Sequence, residues 1–199
     1  MLWYEMEVRS MERALRDRPG PANPVVFYGS SSIRLWSGIA EDLGDPRVVN
    51  LGFGGSTLAA CAYFFGRLVV PLRPRSLVVY AGDNDLGDGQ SARDVFGSFR
   101  DLIRKVDTQL GPIPFAFISI KPSPDRWSLA AEIRSANEMI RSRILSREKS
   151  DYIDVFDAML GLDGRPRPEL YAEDGLHLSA EGYRVWAGQI LRHGELIFP

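Results

Sequence analysis

The chain has 199 residues, 45% hydrophobic and 25% charged, which is enough for one substantial core and ordinary for a soluble globular protein. Its 24 basic and 26 acidic residues give a net charge of -2, which offers no electrostatic basis for binding nucleic acid or an anionic membrane. The only cysteine, Cys61, excludes a disulfide within the chain and argues against a structural zinc site. The N-terminal stretch has no uninterrupted apolar block, so we expect neither a signal peptide nor membrane insertion, and a cytoplasmic location.

Helices and strands alternate through the first half of the chain. An amphipathic helix is predicted over about 3–17, and Pro19-Gly20-Pro21 ends it. A buried strand over 25–28 runs into three serines and a helical segment that reaches about residue 43. The pattern then predicts a strand over 48–53, a helix over about 57–70 and a third strand over 76–81.

The second half continues the alternation. A capping box of Ser91 and Asp94 begins a helix that reaches residue 110. The following elements are a strand over 115–120, a helix over about 127–144, a strand over 152–156, a loop-rich stretch over 157–178 and a last helix capped by Ser179. Strands that alternate with helices on short loops favour a parallel sheet covered on both faces. We therefore predict one three-layer α/β/α domain over 1–199, with an N-terminal helix in 1–20 and a core over 25–191.

Residues with groups suited to catalysis lie at or after the ends of four of the predicted strands. Serines follow the first strand, glycines at 52, 54 and 55 lie at the end of the second, Asn84 lies after the third, and Asp174 and His177 lie in the loop after the fifth. Ligands bind at the carboxyl ends of strands in open α/β sheets, so we expect these groups to converge on one edge. Each taken alone also has an ordinary explanation, since serine caps helices and glycine and asparagine favour turns.

Histidine narrows the search because the chain has only two. His193 lies in the last turn of the final helix, where a positive charge suits the helix dipole. His177 lies three residues after Asp174, a spacing that lets the carboxylate bind one ring nitrogen and leaves the other for a nucleophile. A serine nucleophile needs such a base, and the developing oxyanion needs fixed donors, for which the Gly55 N–H and the Asn84 amide are candidates.

Together these residues resemble the SGNH (GDSL-type) hydrolases, named for Ser, Gly, Asn and His in four separated blocks. The likeness runs over about 25–191. The resemblance implies that Ser31 is the nucleophile, with His177 as base and Asp174 orienting it. It also implies an oxyanion hole made by the N–H groups of Ser31 and Gly55 and by the Asn84 amide.

The resemblance further implies a flavodoxin-like, five-stranded parallel sheet. The expected reaction is hydrolysis of carboxylic esters or thioesters of small acyl groups through an acyl-enzyme, with no metal and no cofactor. Ser30 stands where the family usually has aspartate, which alters a hydrogen-bonding group beside the nucleophile. Ser32 is the nucleophile if the register of the three serines is shifted by one.

Two alternatives stay open at this stage. A carbohydrate O-deacetylase of the same family would share the catalytic residues and differ in substrate. A non-catalytic, flavodoxin-like module could hold an anion or a nucleotide at the same edge, because glycine- and hydroxyl-rich turns at helix starts bind anions. That module leaves Asn84, Asp174 and His177 unexplained.

The expected partner is a small-molecule ester. Five side chains near the predicted rim could line its pocket or could equally be packing or surface residues: Arg34, Phe53, Phe64, Arg126 and Trp127. The absence of a long insertion that could form a lid favours small soluble esters. The N-terminal helix, with Trp3 and Tyr4, could pack on its own sheet or on a second subunit, so a homo-oligomer also stays open.

Overall fold

Five parallel strands form one sheet at the centre of the protein. The computed structural model describes residues 1–199. The strands are β1 (Val25–Gly29), β2 (Val48–Gly52), β3 (Ser76–Tyr80), β4 (Phe115–Ile118) and β5 (Ser150–Ile153). Their spatial order is β2-β1-β3-β4-β5, and all neighbouring pairs are parallel. The predicted flavodoxin-like α/β fold is confirmed, and the strand that ends at the serines lies between two others.

Helices cover both faces of the sheet. They are α1 (Glu5–Asp17), α2 (Ser31–Arg34), α3 (Ile39–Leu43), α4 (Leu58–Leu68), α5 (Asp83–Gly87), α6 (Ala92–Gln109), α7 (Ala130–Leu145), α8 (Ala180–Leu191) and α9 (Gly194–Ile197). Because successive strand residues point to opposite faces, Val26 and Tyr28 join the core under α4, α6 and α7, whereas Val25 and Phe27 join the core under α3 and α8. None of these helices combines the length and the apolar character needed to cross a lipid bilayer.

Two of the predicted elements differ clearly from the structure. The fifth strand covers Ser150–Ile153 rather than 152–156, because the N–H groups of Val155 and Phe156 donate to the Ser119 hydroxyl instead of joining the sheet. The segment from the serines to residue 43 is two short helices rather than one. The Asn50 amide donates to the carbonyls of Ile33 and Trp36, which a continuous helix would use for its own bonds.

Close backbone contacts fix the carboxyl ends of β1 and β2. Gly29 has φ of 145°, and a Cβ atom there would lie 1.8 Å from the Tyr80 carbonyl oxygen, so β1 and β3 meet where only glycine fits. A Cβ atom on Gly52 would lie 2.2 Å from the backbone nitrogen of Arg34. The last turn of α2 therefore lies directly against the end of β2.

Candidate active site

Ser31 is the first residue of α2 and lies at the carboxyl edge of the sheet. Its Oγ is 3.0 Å from Nε2 of His177, which comes from the loop before α8. The other ring nitrogen, Nδ1, is 2.6 Å from Oδ2 of Asp174. An ionised carboxylate only accepts, so Nδ1 carries the proton and Nε2 presents its lone pair to the serine hydroxyl. Two residues at the end of the chain thus form one hydrogen-bonded series with a residue near its beginning.

Both carboxylate oxygens of Asp174 accept hydrogen bonds. Its Oδ1 accepts the backbone N–H groups of Leu176 and His177, each at 2.9 Å, while Oδ2 accepts from the imidazole. The hydrogen bond from His177, followed by these backbone bonds, lowers the pKa of Asp174 to about 2. The group is therefore ionised near neutral pH, and it fixes both the tautomer and the direction of the imidazole.

Three hydrogen-bond donors lie at the ends of β1, β2 and β3. The backbone N–H groups of Ser31 and Gly55 donate to no other group of the protein. The Asn84 amide nitrogen donates one hydrogen to the Ser56 carbonyl at 3.2 Å and has a second hydrogen available. Gly55 adopts φ of 65°, which turns the backbone sharply after β2. The contact with Ser56 brings Asn84 against the turn that contains Gly55.

Tyr4 and Glu7, at the start of the N-terminal helix, contact this turn, and no sequence pattern predicts these contacts. The Tyr4 hydroxyl donates to the Gly55 carbonyl at 3.1 Å, and the Gly54 N–H donates to Oε2 of Glu7 at 3.0 Å. The other carboxylate oxygen of Glu7 lies 3.6 Å from Nε of Arg34, three residues after Ser31. These contacts join residues about 30 to 50 positions apart, so no local pattern could reveal them.

Two of the residues predicted near the rim lie in the core instead. Phe53 and Phe64 are fully buried and pack edge to face against each other and against Tyr4, whose ring covers them. The prediction that Phe53 binds substrate is therefore wrong, because no part of its ring is exposed. Its aromatic character serves the packing of α1 on the sheet.

The other three residues of that set remain accessible. Arg34 is exposed, and its guanidinium faces Glu7. Trp127 is partly buried and has the Arg165 guanidinium 5.4 Å from its ring centre. Arg126 donates to the side-chain oxygen of Asn84 at 3.2 Å, which places it next to a candidate oxyanion donor.

The remaining serines and the second histidine differ clearly from Ser31 and His177. The Ser30 hydroxyl is buried with no hydrogen-bond partner, and Ser32 is also buried. His193 contacts Asp151, near the amino end of β5 and so at the opposite edge of the sheet. No group of three or more histidine, cysteine or acidic side chains is arranged to hold a metal ion.

The chain is similar to known hydrolases over most of its length. The sequence model of the GDSL-like Lipase/Acylhydrolase family matches residues 21–185. A candidate platelet activating factor from Streptococcus pneumonia has 19% identity and a TM-score of 0.83, over 96% of this chain and 93% of that one. A GDSL-like lipase from Bacteroides thetaiotaomicron has 22% identity and a TM-score of 0.79, over 94% and 97%.

A third solved structure, a carbohydrate esterase family 3 protein from Talaromyces cellulolyticus, has 20% identity and a TM-score of 0.67, over 86% and 97% of the two chains. At these identities the solved structures show a shared fold. A search of curated proteins found no match. The family match, by contrast, spans all five strands and the serine, glycine, asparagine and histidine positions described above. The chain therefore belongs to the GDSL-like lipase/acylhydrolase family of ester-hydrolysing enzymes.

Proposed function

We propose that the protein is a serine esterase that cleaves carboxylic esters of small acyl groups through an acyl-enzyme. The observation that carries the proposal is the unbroken series of contacts from Ser31 through His177 to Asp174. Oγ of Ser31 attacks the acyl carbon while Nε2 of His177 takes the hydroxyl proton. The imidazolium then gives that proton to the departing alkoxide, and Asp174 stabilises its charge. Water repeats the sequence on the acyl-serine and releases the acid.

The negative charge on the acyl oxygen needs donors that are already in place. The N–H groups of Ser31 and Gly55 have no acceptor within the protein, and Asn84 has one amide hydrogen available. We assign these three donors to the oxyanion. Each such donor contributes roughly 2.7–4 kcal/mol to transition-state stabilisation in serine hydrolases.

The loops at this edge favour a small substrate. The connections from β2 to α4 and from β3 to α5 are short, and the long connection from β5 to α8 itself carries Asp174 and His177. The connection from β4 to α7 is also long, but its Asp125 N–H donates to the Gly175 carbonyl, so the two long loops are joined to each other beside the site. Thioesters require the same groups, and the shared fold of the carbohydrate esterase from Talaromyces cellulolyticus makes sugar acetates a second substrate class to test.

The first experiment is intact-protein mass spectrometry after treatment with a fluorophosphonate, followed by mapping of the labelled peptide. We expect a single adduct on Ser31, with no adduct in Ser31→Ala and much slower labelling in His177→Ala. Ser32→Ala is the matched control for the register of the serines and should label like the wild type. An adduct on Ser32, or none on a folded protein, contradicts the assignment.

A substrate series then tests the acyl group and the leaving group. p-Nitrophenyl acetate should be cleaved with a higher kcat/KM than the octanoate ester, and acetyl thioesters and acetylated sugars report the other two classes. Preference for the octanoate would contradict the small-acyl proposal. If no ester is cleaved and phosphate raises the melting temperature, the non-catalytic anion-binding module becomes the better explanation.

A further inference from the structure

Arg126 lies in the segment that follows β4, and it contacts the side-chain oxygen of Asn84, whose amide is a proposed oxyanion donor. Its Nη2 donates to Oδ1 of Asn84 at 3.2 Å, and its side chain is only 18% exposed. Because a cationic donor occupies the amide oxygen, the NH₂ group of Asn84 has one favourable orientation, facing the Ser56 carbonyl. The contact therefore determines in which direction Asn84 donates.

Arg126 and a second cation contact one buried carboxylate beside Asn84. Nη1 lies 3.5 Å from Oδ2 of Asp83, and Nζ of Lys121 lies 3.2 Å from the same oxygen. Lys121 and Asp83 are both almost fully buried. Burial opposes ionisation of Asp83, but the two cations nonetheless lower its pKa, so the carboxylate is charged. Two positive groups then share one negative group.

The backbone leaves Arg126 little freedom to move. A Cβ atom on Gly87 would lie 2.9 Å from the guanidinium carbon, so the side chain lies flat against the backbone of α5. The adjacent Asp125 N–H donates to the Gly175 carbonyl at 3.1 Å, within the loop that carries Asp174 and His177. One short segment thus contacts both the Asn84 side chain and the loop of the proposed base.

We propose that Arg126 is a positioning residue for ester hydrolysis, which holds the Asn84 amide toward the oxyanion and strengthens it as a donor. The inference rests on the proposed role of Asn84. A charge-assisted hydrogen bond to the amide oxygen polarises the group and increases the partial positive charge on its N–H hydrogens. The benefit is largest when the acyl oxygen becomes negative, so it acts on the transition state more than on the bound ester.

A double-mutant cycle tests whether Arg126 acts through Asn84. Arg126→Met should lower kcat about 10-fold with little change in KM, whereas in the Asn84→Ala background the same substitution should cost less than twofold. Added guanidinium should partly restore kcat to Arg126→Ala. Arg104→Met, which removes an exposed arginine paired with Asp101 on α6, is the control and should behave like the wild type. Equal losses in both backgrounds, or a rise in KM alone, would overturn the proposal.

Nuclear magnetic resonance gives a second readout that does not depend on turnover. The side-chain NH₂ signals of Asn84 are identified by their loss in Asn84→Ala, and they should shift in Arg126→Met but not in Arg104→Met. Unmoved signals overturn the positioning role whether or not the wild type cleaves esters. If the signals shift in Arg126→Met but the wild type cleaves no ester, the proposed function is overturned. The part of the inference that concerns the oxyanion is then overturned with it.

Discussion

The hydroxyl of Tyr4 donates a hydrogen bond to the carbonyl of Gly55 across 51 positions of sequence. Glu7, in the first turn of α1, accepts the N–H of Gly54. Both residues lie before position 21, where the family match begins. The N-terminal helix therefore supports, from outside the family core, the turn that supplies a proposed oxyanion donor.

Removing either contact should slow turnover. We expect Tyr4→Phe and Glu7→Ala each to lower kcat about fivefold, since one hydrogen bond contributes about 1 kcal/mol, and to change KM little. Steady-state kinetics and thermal unfolding of each variant check this. Arg13→Gln, on an exposed position of the same helix, is the control. A fall in melting temperature without a fall in kcat would show that the contacts serve packing alone.

Replacing Asp174 by Asn should lower kcat about 10²–10⁴-fold, because the amide no longer stabilises the imidazolium and can favour the wrong tautomer. The folded-state pKa of Asp174, about 2, lies below its ordinary value of 3.8, so its stabilising contacts are complete above pH 3.8 and are lost only as pH falls through about 2. Any acid limb of the wild-type pH–rate profile between pH 5 and 8 should therefore come from another group. Wild-type kcat in Asp174→Asn would contradict the assigned role.

Asp85 provides a test of stability against pH. It is fully buried and accepts the Leu58 N–H at the start of α4, and burial raises its pKa to about 6. A folded pKa above the ordinary value of 3.8 means that the folded state binds the proton more tightly, so stability is lost as pH rises from about 4 through 6.

Asp85→Asn removes this charge and keeps an acceptor for Leu58. We expect its free energy of unfolding, relative to wild type, to rise by about 1 kcal/mol between pH 5 and pH 7.5. Urea unfolding of both proteins at the two pH values measures the difference. A constant difference between the two proteins would show that the carboxyl does not titrate in this range.

Gly52→Ala should displace the nucleophile, because the added Cβ would lie 2.2 Å from the Arg34 nitrogen in α2. The expected results are a loss of fluorophosphonate labelling at Ser31 and a lower melting temperature. Gly97→Ala is the matched control, since Gly97 lies within α6 with open space where the Cβ would be. It should label normally and gain about 0.5–1 kcal/mol of stability. Normal labelling of Gly52→Ala would show that α2 can shift without harm.

Local sequence signals were sufficient to predict most of the helices and strands. The capping box of Ser91 and Asp94 is present at the start of α6, where the sequence predicts it, and the alternation of apolar runs gives all five strands. The predicted elements were wrong where a side chain distant in sequence takes the place of a backbone hydrogen bond within the element. Asn50 interrupts the helix after Ser31, and Ser119 draws Val155 out of the sheet. Neither effect can be read from a window of neighbouring residues.

The residues of the candidate site also differ in how far the sequence predicts them. Ser31, Asp174 and His177 were predicted because histidine is rare in the chain, its spacing from Asp174 is informative, and all three match the family's blocks in order. The residues behind the site were missed or misplaced: Phe53 packs in the core, and Glu7 contacts the glycine turn only through the tertiary fold. One signal was available for Lys121, a lysine directly after the apolar run predicted as a strand over 115–120, and its burial against Asp83 explains that position.

Ser31 and His177 are 146 positions apart, and this separation has a consequence for a chain still being synthesised. At about 5–20 residues per second, the ribosome needs roughly 7–30 s to add the histidine after the serine. Until then the nascent protein exposes a hydroxyl with no base to activate it. Hydrolytic competence on the proposed mechanism therefore begins only after residue 177 has been added, and proteolytic cleavage between β5 and His177 would abolish it.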